Sequence, residues 1–445
     1  MSTPICDFVR RYAGGGAVRL HMPGHKGCGP LGCEALDITE IDGADDLFHP
    51  EGIIARSEEN AGAIFGAHTL YATGGSTLCI QTMVHLLTAY ASSRGQKPLL
   101  LAGRNAHKAF VNAAALLDVP VRWLCPAAGE TYYSGAVTPE QLERELACSR
   151  EPVTAVYLTC PDYLGELPDV AALAAVCRRA GVLLAVDNAH GAYLKFLSPS
   201  RHPMDLGADL CCDSAHKTLP VVTGGAYLHI AHQAPELLHR QAKASMGLFG
   251  SSSPSYLILQ SMDAANDLLA DYPEKLQALL PQLESLRRRL AARGWEVRPG
   301  EPLKVTLCPK GYGYTGSEVA AALESGGIYP EFYDPDYIVL MVSPQNDPSD
   351  LWRLEKALTA LPRRAAIRQG PPPMPRLEQA VTPHEAILSP WEEVPLEACC
   401  GRISAAGALG CPPAVPVVLC GQRMDAAAVE VLRYYGFHRC AVLTE

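Results

Sequence analysis

The chain has 445 residues, 48% of them apolar, and a formal net charge of −10 at pH 7. This length predicts two or three domains, and the acidic balance argues against a nucleic-acid or anionic-membrane partner, which would call for a basic surface. No apolar run reaches the roughly 18 residues of a membrane-spanning helix, and "MSTPICDFVRRYAGGG" lacks the apolar core of a signal peptide, so the expected location is cytoplasmic. The 16 cysteines are scattered without a CxxC, and read as reduced, small apolar side chains.

In chain order, "TGGST" at 73–77 precedes "LCIQTMVHLLTAY", which reads as a helix, and "PLLLAG" at 98–103 reads as a buried strand. Thr138, Pro139 and Gln141 form a helix-start pattern, a capping box with proline in the first turn. Strand-like "VTAVYLTCP" at 153–161 leads to "LPDVAALAAVCRRAG", a helix stopped by Gly181. Three more strand-like runs follow, "VLLAVD", "ADLCCD" and "GGAYLHI". Apolar runs alternating with helices predict an α/β domain with a mostly parallel sheet and helices on both faces. After residue 269 a long helix, "LQALLPQLESLRRRLAARG", the strands "LKVTLCP" and "YIVLMVSP", and a helix opened by Asp347-Pro348 predict a smaller α+β domain. "QGPPPMP" at 369–375 reads as a stiff linker, and the final segment is periodic only at "MDAAAVEVLRYYG". The expected divisions are 1–60, an N-terminal segment; 61–268, the large α/β domain; 269–368, the small domain; and 369–445, the C-terminal segment.

Four features carry chemistry. Gly75, Ser76 and Thr77 stand at a helix start, where unpaired backbone N–H groups and hydroxyls make either a phosphate cradle or an ordinary capped turn. His107, in "GRNAHKA", follows a strand end and offers a flat ring, although a lone histidine more often satisfies a structural hydrogen bond. Asp187 ends an apolar strand, where an ionised carboxylate calls for a positive partner. Lys217, in "SAHKTLP", ends the next strand 30 residues later, one strand-to-strand step away. In open α/β sheets such strand ends line the ligand crevice. A phosphate cradle, a stacking ring, an acid and a lysine together are the parts that bind pyridoxal phosphate: the lysine forms the Schiff base and the acid keeps the pyridine nitrogen protonated.

The chain resembles the Orn/Lys/Arg decarboxylases, pyridoxal-phosphate enzymes of fold type I, in their short Gram-positive-like form. The resemblance runs through "HMPGHKG" (21–27), "DITEIDGADDLFHPEG" (37–52), "FGAHTLYATGGST" (65–77), "NAHKA" (105–109), "TCPDYLGELPDV" (159–170), "VDNAHGAY" (186–193), "SAHKTLP" and "SSSPSY" (251–256). It implies that Ser76, Thr77, Ser214 and His216 hold the cofactor phosphate, that His107 stacks on the ring, and that Asp187 pairs with the pyridine nitrogen. His190 would line the site and Lys217 would carry the cofactor. It also implies a homodimer with sites at the subunit interface, where "SSSPSY", including Ser253, would face the partner's site. The implied reaction is α-decarboxylation of arginine, lysine or ornithine to the amine and CO2, a step in polyamine biosynthesis. Asp45, Asp46 and Glu331 are candidates for the cationic end of the substrate; solvated carboxylates or loop caps are the alternative for each.

The sequence departs from the family pattern at Ala109, where serine is usual, and at Asn188, where glutamate is common. In "GCPPAVPVVLCGQ", Cys411, Ala414, Cys420 and Gln422 replace tyrosine, glycine, proline and glutamate. The alternatives are an aminotransferase or aldolase-like lyase on the same cofactor, or a weakly active regulatory protein that retains it. A metal hydrolase is not expected, since "HMPGH" carries proline and glycine between its histidines and no HExxH occurs.

Overall fold

The apolar runs of the first half fold as short strands: β1 (His68–Ala72), β2 (Leu100–Gly103), β3 (Val121–Leu124), β4 (Ala155–Thr159), β5 (Leu183–Asp187), β6 (Leu210–Asp213) and β7 (Ala226–Ile230). Four later strands are β8 (Glu296–Arg298), β9 (Lys304–Cys308), β10 (Phe332–Tyr333) and β11 (Ile338–Met341). The helices used below are α1 (Pro4–Gly14), α2 (Ile53–Phe65), α3 (Gly75–Ser93) and α4 (Lys108–Leu116). The computed structural model describes residues 1–125, 137–410 and 415–444. Contacts group the chain into one unit of Met1–Leu99, Glu145–Cys160 and Val170–Glu274, and another of Leu100–Arg144, Pro161–Asp169 and Lys275–Glu445.

In the first unit the strand order is β1-β7-β6-β5-β4. β4, β5 and β6 run parallel, while β7 and β1 are antiparallel to their neighbours. Every residue of β5, β6 and β7 is buried, as the unbroken apolar runs required. The helix Val170–Ala180 ends at Gly181, whose φ of +68° is the left-handed conformation that glycine adopts without steric cost. α2 has no side-chain cap at its own Gly52. Asp45, seven residues upstream, supplies one instead: its carboxylate accepts the N–H groups of Glu51, Gly52 and Ile54 at 2.8–2.9 Å. Burial alone would raise its pKa, but these amides and that of Asp46 hold it below the ordinary value.

In the second unit β2 and β3 pair in parallel, and β10-β11-β9-β8 form an antiparallel sheet. Trp391–Pro395 pairs with Arg439–Leu443, and Leu164, Phe332, Val417, Val418, Val431 and Leu432 share one buried cluster. The stretch 161–169 is tied to β8 and β9 by polar contacts. Lys304, with 1% of its side chain exposed, pairs with Glu301 at 3.1 Å and donates to the carbonyl of Asp162 at 3.0 Å. Thr306 donates to the Leu164 carbonyl at 2.9 Å, and Arg298 pairs with Glu166 at 2.9 Å. Asp162 is buried, which pushes its carboxyl up to about 6 despite the bond from the Glu166 amide. Residues 363–378, around the proline-rich run, form no helix or strand, but Lys310 holds the Gln369 carbonyl at 2.7 Å. The last segment is more structured than its weak periodicity implies: Pro383–Leu388 is a helix with a complete Thr382–Glu385 capping box.

The 15 described cysteines are free, and nine are buried. Among the described residues no helix is long and apolar enough to cross a membrane.

Two outcomes follow for stability. Asp45→Ala removes the cap of α2 and should cost about 2 kcal/mol in urea unfolding; an unchanged midpoint would contradict the capping role. Asp162 has a folded pKa above its unfolded value near 3.8, so its contribution is full below that value and fades as pH rises through about 6. Asp162→Asn should therefore flatten the stability curve between about pH 4 and 6, by on the order of 2 kcal/mol. A curve of unchanged slope would contradict it.

Candidate active site

Most of the sequence-predicted residues lie in the first unit, at the ends of β5 and β6 and the start of α3. Asp187 is the last residue of β5 and only 2% exposed. Its carboxylate accepts hydrogen bonds from Tyr157 Oη at 3.2 Å, the Ala189 amide at 3.1 Å and Cys212 Sγ at 3.7 Å. All three donors are neutral. Among the described residues Asp187 has no cationic partner, although a buried carboxylate is costly without one. A protonated ring nitrogen is the kind of group that would complete it.

β6 lies beside β5, with Asp187 opposite Cys212 in the parallel register. The chain leaves β6 through Ser214 into a single helical turn, Ala215–Thr218, which carries His216 and Lys217. Lys217 Nζ stands 2.8 Å from His190 Nε2, so the imidazole nitrogen accepts from the ammonium. His216 places Nδ1 3.0 Å from the Gly225 carbonyl. Ser214, 1% exposed, donates from Oγ to Ser76 Oγ at 2.8 Å. This bond joins the end of β6 to the first turn of α3.

α3 begins without a side-chain cap. Gly75 enters it at φ +70°, and its amide donates to the Gly224 carbonyl at 2.8 Å. Gly224 faces it at φ +99°, where a Cβ would lie 3.3 Å from the Thr73 carbonyl oxygen and 3.0 Å from Ile258. Two glycines thus let the backbones meet beside an uncapped helix start, with the Ser76 side chain partly exposed and Thr77 exposed. Those amides and hydroxyls are suited to an anion such as a phosphate ester.

His107 and Glu331 lie in the second unit. His107 is the N-cap of α4: Nδ1 accepts the Ala109 amide at 3.2 Å, while the ring is exposed. The capped amide belongs to the residue where the family pattern has serine. Glu331 is exposed, and Tyr163 Oη donates to it at 3.4 Å. Of the other substrate candidates, Asp45 caps α2, and Asp46 accepts the amides of Phe48 and His49 at 2.7 and 3.2 Å. Ser253 is exposed, and its amide donates to Ser251 Oγ at 3.1 Å. At the departures in the C-terminal motif, Gln422 Oε1 accepts the Leu419 amide at 2.9 Å and Cys420 is buried; Cys411 and Ala414 lie outside the described residues.

Sequence reasoning missed the cluster behind this site. Asn188 donates to Asp213 Oδ1 at 2.6 Å, and Asp213 Oδ2 accepts from His202 Nε2 at 3.0 Å and His229 Nε2 at 3.1 Å, with all four residues fully buried. Burial would raise Asp213, but the two imidazoles bring it well below the ordinary carboxylate range. Tyr157 was missed as well, since nothing in an apolar strand marks which hydroxyl meets an acid on its neighbour. The one available signal was the polar pair Asn188 and Asp213 at the ends of two otherwise apolar strands.

Residues 3–309 match the family model described as "Orn/Lys/Arg decarboxylase, major domain", and residues 364–441 match its "C-terminal domain". An arginine decarboxylase of Bacillus subtilis is 27% identical, with 94% of this chain and 91% of that protein covered. The constitutive lysine decarboxylase of Escherichia coli is 23% identical over 93% of this chain and 74% of its own length. Among solved structures, the Francisella novicida lysine decarboxylase LdcF superposes with a TM-score of 0.80 at 17% identity, covering 99% of this chain and 81% of that one. A variant of SPT with PLP gives 0.55 at 13% identity, over 69% and 75% of the two chains. The fold is therefore that of the lysine decarboxylases and of fold-type-I enzymes, and the chain belongs to the Orn/Lys/Arg decarboxylase family, whose reaction is the decarboxylation of basic amino acids.

Proposed function

We propose that this protein decarboxylates arginine, lysine or ornithine at the α-carbon with pyridoxal phosphate, releasing CO2 and agmatine, cadaverine or putrescine. The observation that carries the reading is Asp187, a buried carboxylate held by neutral donors at the end of β5, beside the strand that leads to Lys217. Pyridoxal phosphate supplies an electron sink for the pair left when CO2 departs. The protein's part is binding and charge placement. Asp187 holds a proton on the ring nitrogen by opposing its charge. Lys217 would tether the cofactor through Nζ, the atom that His190 Nε2 holds by a hydrogen bond at 2.8 Å. The start of α3, the hydroxyls of Ser76, Thr77 and Ser214, and His216 take the phosphate. By the family resemblance His107 stacks on the ring. Glu331 is the carboxylate best suited to a cationic substrate end, because Asp45 and Asp46 are engaged with backbone amides.

A homodimer in the cytoplasm belongs to the same reading. Val18, Leu20 and Leu31 in the N-terminal arm are 81%, 90% and 81% exposed, and a second subunit would cover them. The product would enter polyamine formation.

Supplied separately with pyridoxal phosphate, one of arginine, lysine and ornithine should yield its amine and CO2 without any keto acid. Failure of all three would contradict the decarboxylase reading, and a keto-acid requirement would mark an aminotransferase. Lys217→Ala should lose the visible absorbance of covalently held cofactor and nearly all turnover, whereas Asp187→Asn should keep cofactor and lose about 100-fold or more in kcat. Full turnover by either variant would contradict the assigned role.

A further inference from the structure

The chemistry proposed above places its ring-stacking histidine on α4, and α4 is gripped by the C-terminal part of the same unit. The strongest grip is at Arg104. This residue is only 6% exposed; its two terminal nitrogens donate to the carbonyls of Pro416 at 2.8 Å and Val417 at 3.2 Å. A planar guanidinium reaches two adjacent carbonyls at once, which a lysine ammonium does less well. The same group lies 5.8 Å from the centre of the Trp123 ring, and Trp123 meets Phe110 of α4 edge to face at 6.1 Å. The backbone amide of Arg104 is itself fixed to the Leu124 carbonyl at 3.1 Å.

Two further contacts join the C-terminal segment to α4. The Gly407 Cα sits so close to Asn112 that an added Cβ would fall 1.9 Å from its side-chain oxygen. His384 Nδ1 donates to the Ala115 carbonyl at 2.8 Å. His107, the N-cap of α4, is three residues beyond Arg104.

We infer that Arg104 is a positioning residue: by binding the main-chain carbonyls of Pro416 and Val417 and packing through Trp123 on Phe110, it couples the C-terminal segment to the helix that His107 begins. The inference rests on the cofactor role of His107 for its catalytic consequence, but not for the coupling itself. It also explains how "GCPPAVPVVLCGQ" tolerates its departures at Cys420 and Gln422. Carbonyl groups do not depend on side-chain identity, so the clamp survives substitution around it. The C-terminal segment then sets the angle of α4, and with it the position of His107.

The test compares the wild-type protein with Arg104→Met, Arg104→Lys and Arg423→Met. Arg423 is the control, since it clamps another C-terminal carbonyl, that of Gly401, at 2.8 Å. Amide hydrogen exchange over residues 108–116 should quicken in Arg104→Met, less so in Arg104→Lys, and not in Arg423→Met. Titration of the apoprotein with pyridoxal phosphate should show affinity about tenfold weaker in Arg104→Met, with kcat reduced more than KM is raised and partial rescue by lysine. Thermal unfolding recorded alongside separates this from general loosening. If Arg104→Met does not fold, Arg104→Lys decides. Exchange over 108–116 equal to wild type, or equal effects from the Arg104 and Arg423 variants, would overturn the coupling. Wild-type protein that binds no pyridoxal phosphate would instead overturn the functional reading, with the exchange result still deciding the clamp.

Discussion

A carboxylate buried at the end of a parallel strand, with no cationic partner among the described residues, is the constraint on which the rest of the site depends. Moving a charge out of water costs several kcal/mol even after relaxation, and Tyr157, Cys212 and the Ala189 amide offer only neutral hydrogen bonds to Asp187. Such an arrangement persists when a ligand's positive charge offsets the cost. The fold supplies the geometry: parallel pairing sets Asp187 level with Cys212, two residues before Ser214, and the serine pair Ser76 and Ser214 closes the distance to α3. An acid, a lysine and an uncapped helix start therefore follow from strand register and two glycines.

The cluster behind Asp187 shows how a departure from the family pattern is accommodated. Asn188 cannot carry the charge of a glutamate, but its amide donates to Asp213 on the adjacent strand, and Asp213 is ionised against His202 and His229. The Met204 amide donates to His202 Nδ1 at 3.3 Å, which makes Nε2 the protonated nitrogen and Asp213 its acceptor. His202, Cys211 and Asp213 lie close enough to resemble a metal site. Their nitrogens and oxygens already satisfy one another, so the structure reads as a hydrogen-bonded brace between β5 and β6.

Legibility in the sequence divided along the range of the interactions. Strand runs, the glycine stop at Gly181, the helix start at Asp347-Pro348 and the glycine-rich helix start at 73–77 rest on neighbours a few residues apart, and each was visible as a pattern. Asp187 was visible as the end of an apolar strand, whereas Lys217, expected to end the next strand, stands in a helical turn four residues past Asp213, because Ser214 has already taken the chain out of β6. What escaped were contacts between residues far apart in the chain. For Asp45 the sequence left a substrate carboxylate and a loop cap both open, and only the fold shows that it caps a helix seven residues on; Lys304 is held by a loop about 140 residues earlier. The final segment looked aperiodic because its strands are short and its core is assembled from scattered valines and leucines such as Val417, Val431 and Leu432. Family motifs pointed to the chemistry, and the fold added the long-range contacts that hold those residues in place.

Whether Asp187 opposes a positive ring nitrogen is read most simply by nitrogen-15 NMR of the protein reconstituted with pyridoxal phosphate labelled at that nitrogen. The nitrogen should be protonated at neutral pH, should remain so well above the pKa of the cofactor in water, and should lose its proton in Asp187→Asn. A ring nitrogen unprotonated at neutral pH in the wild-type protein would contradict it.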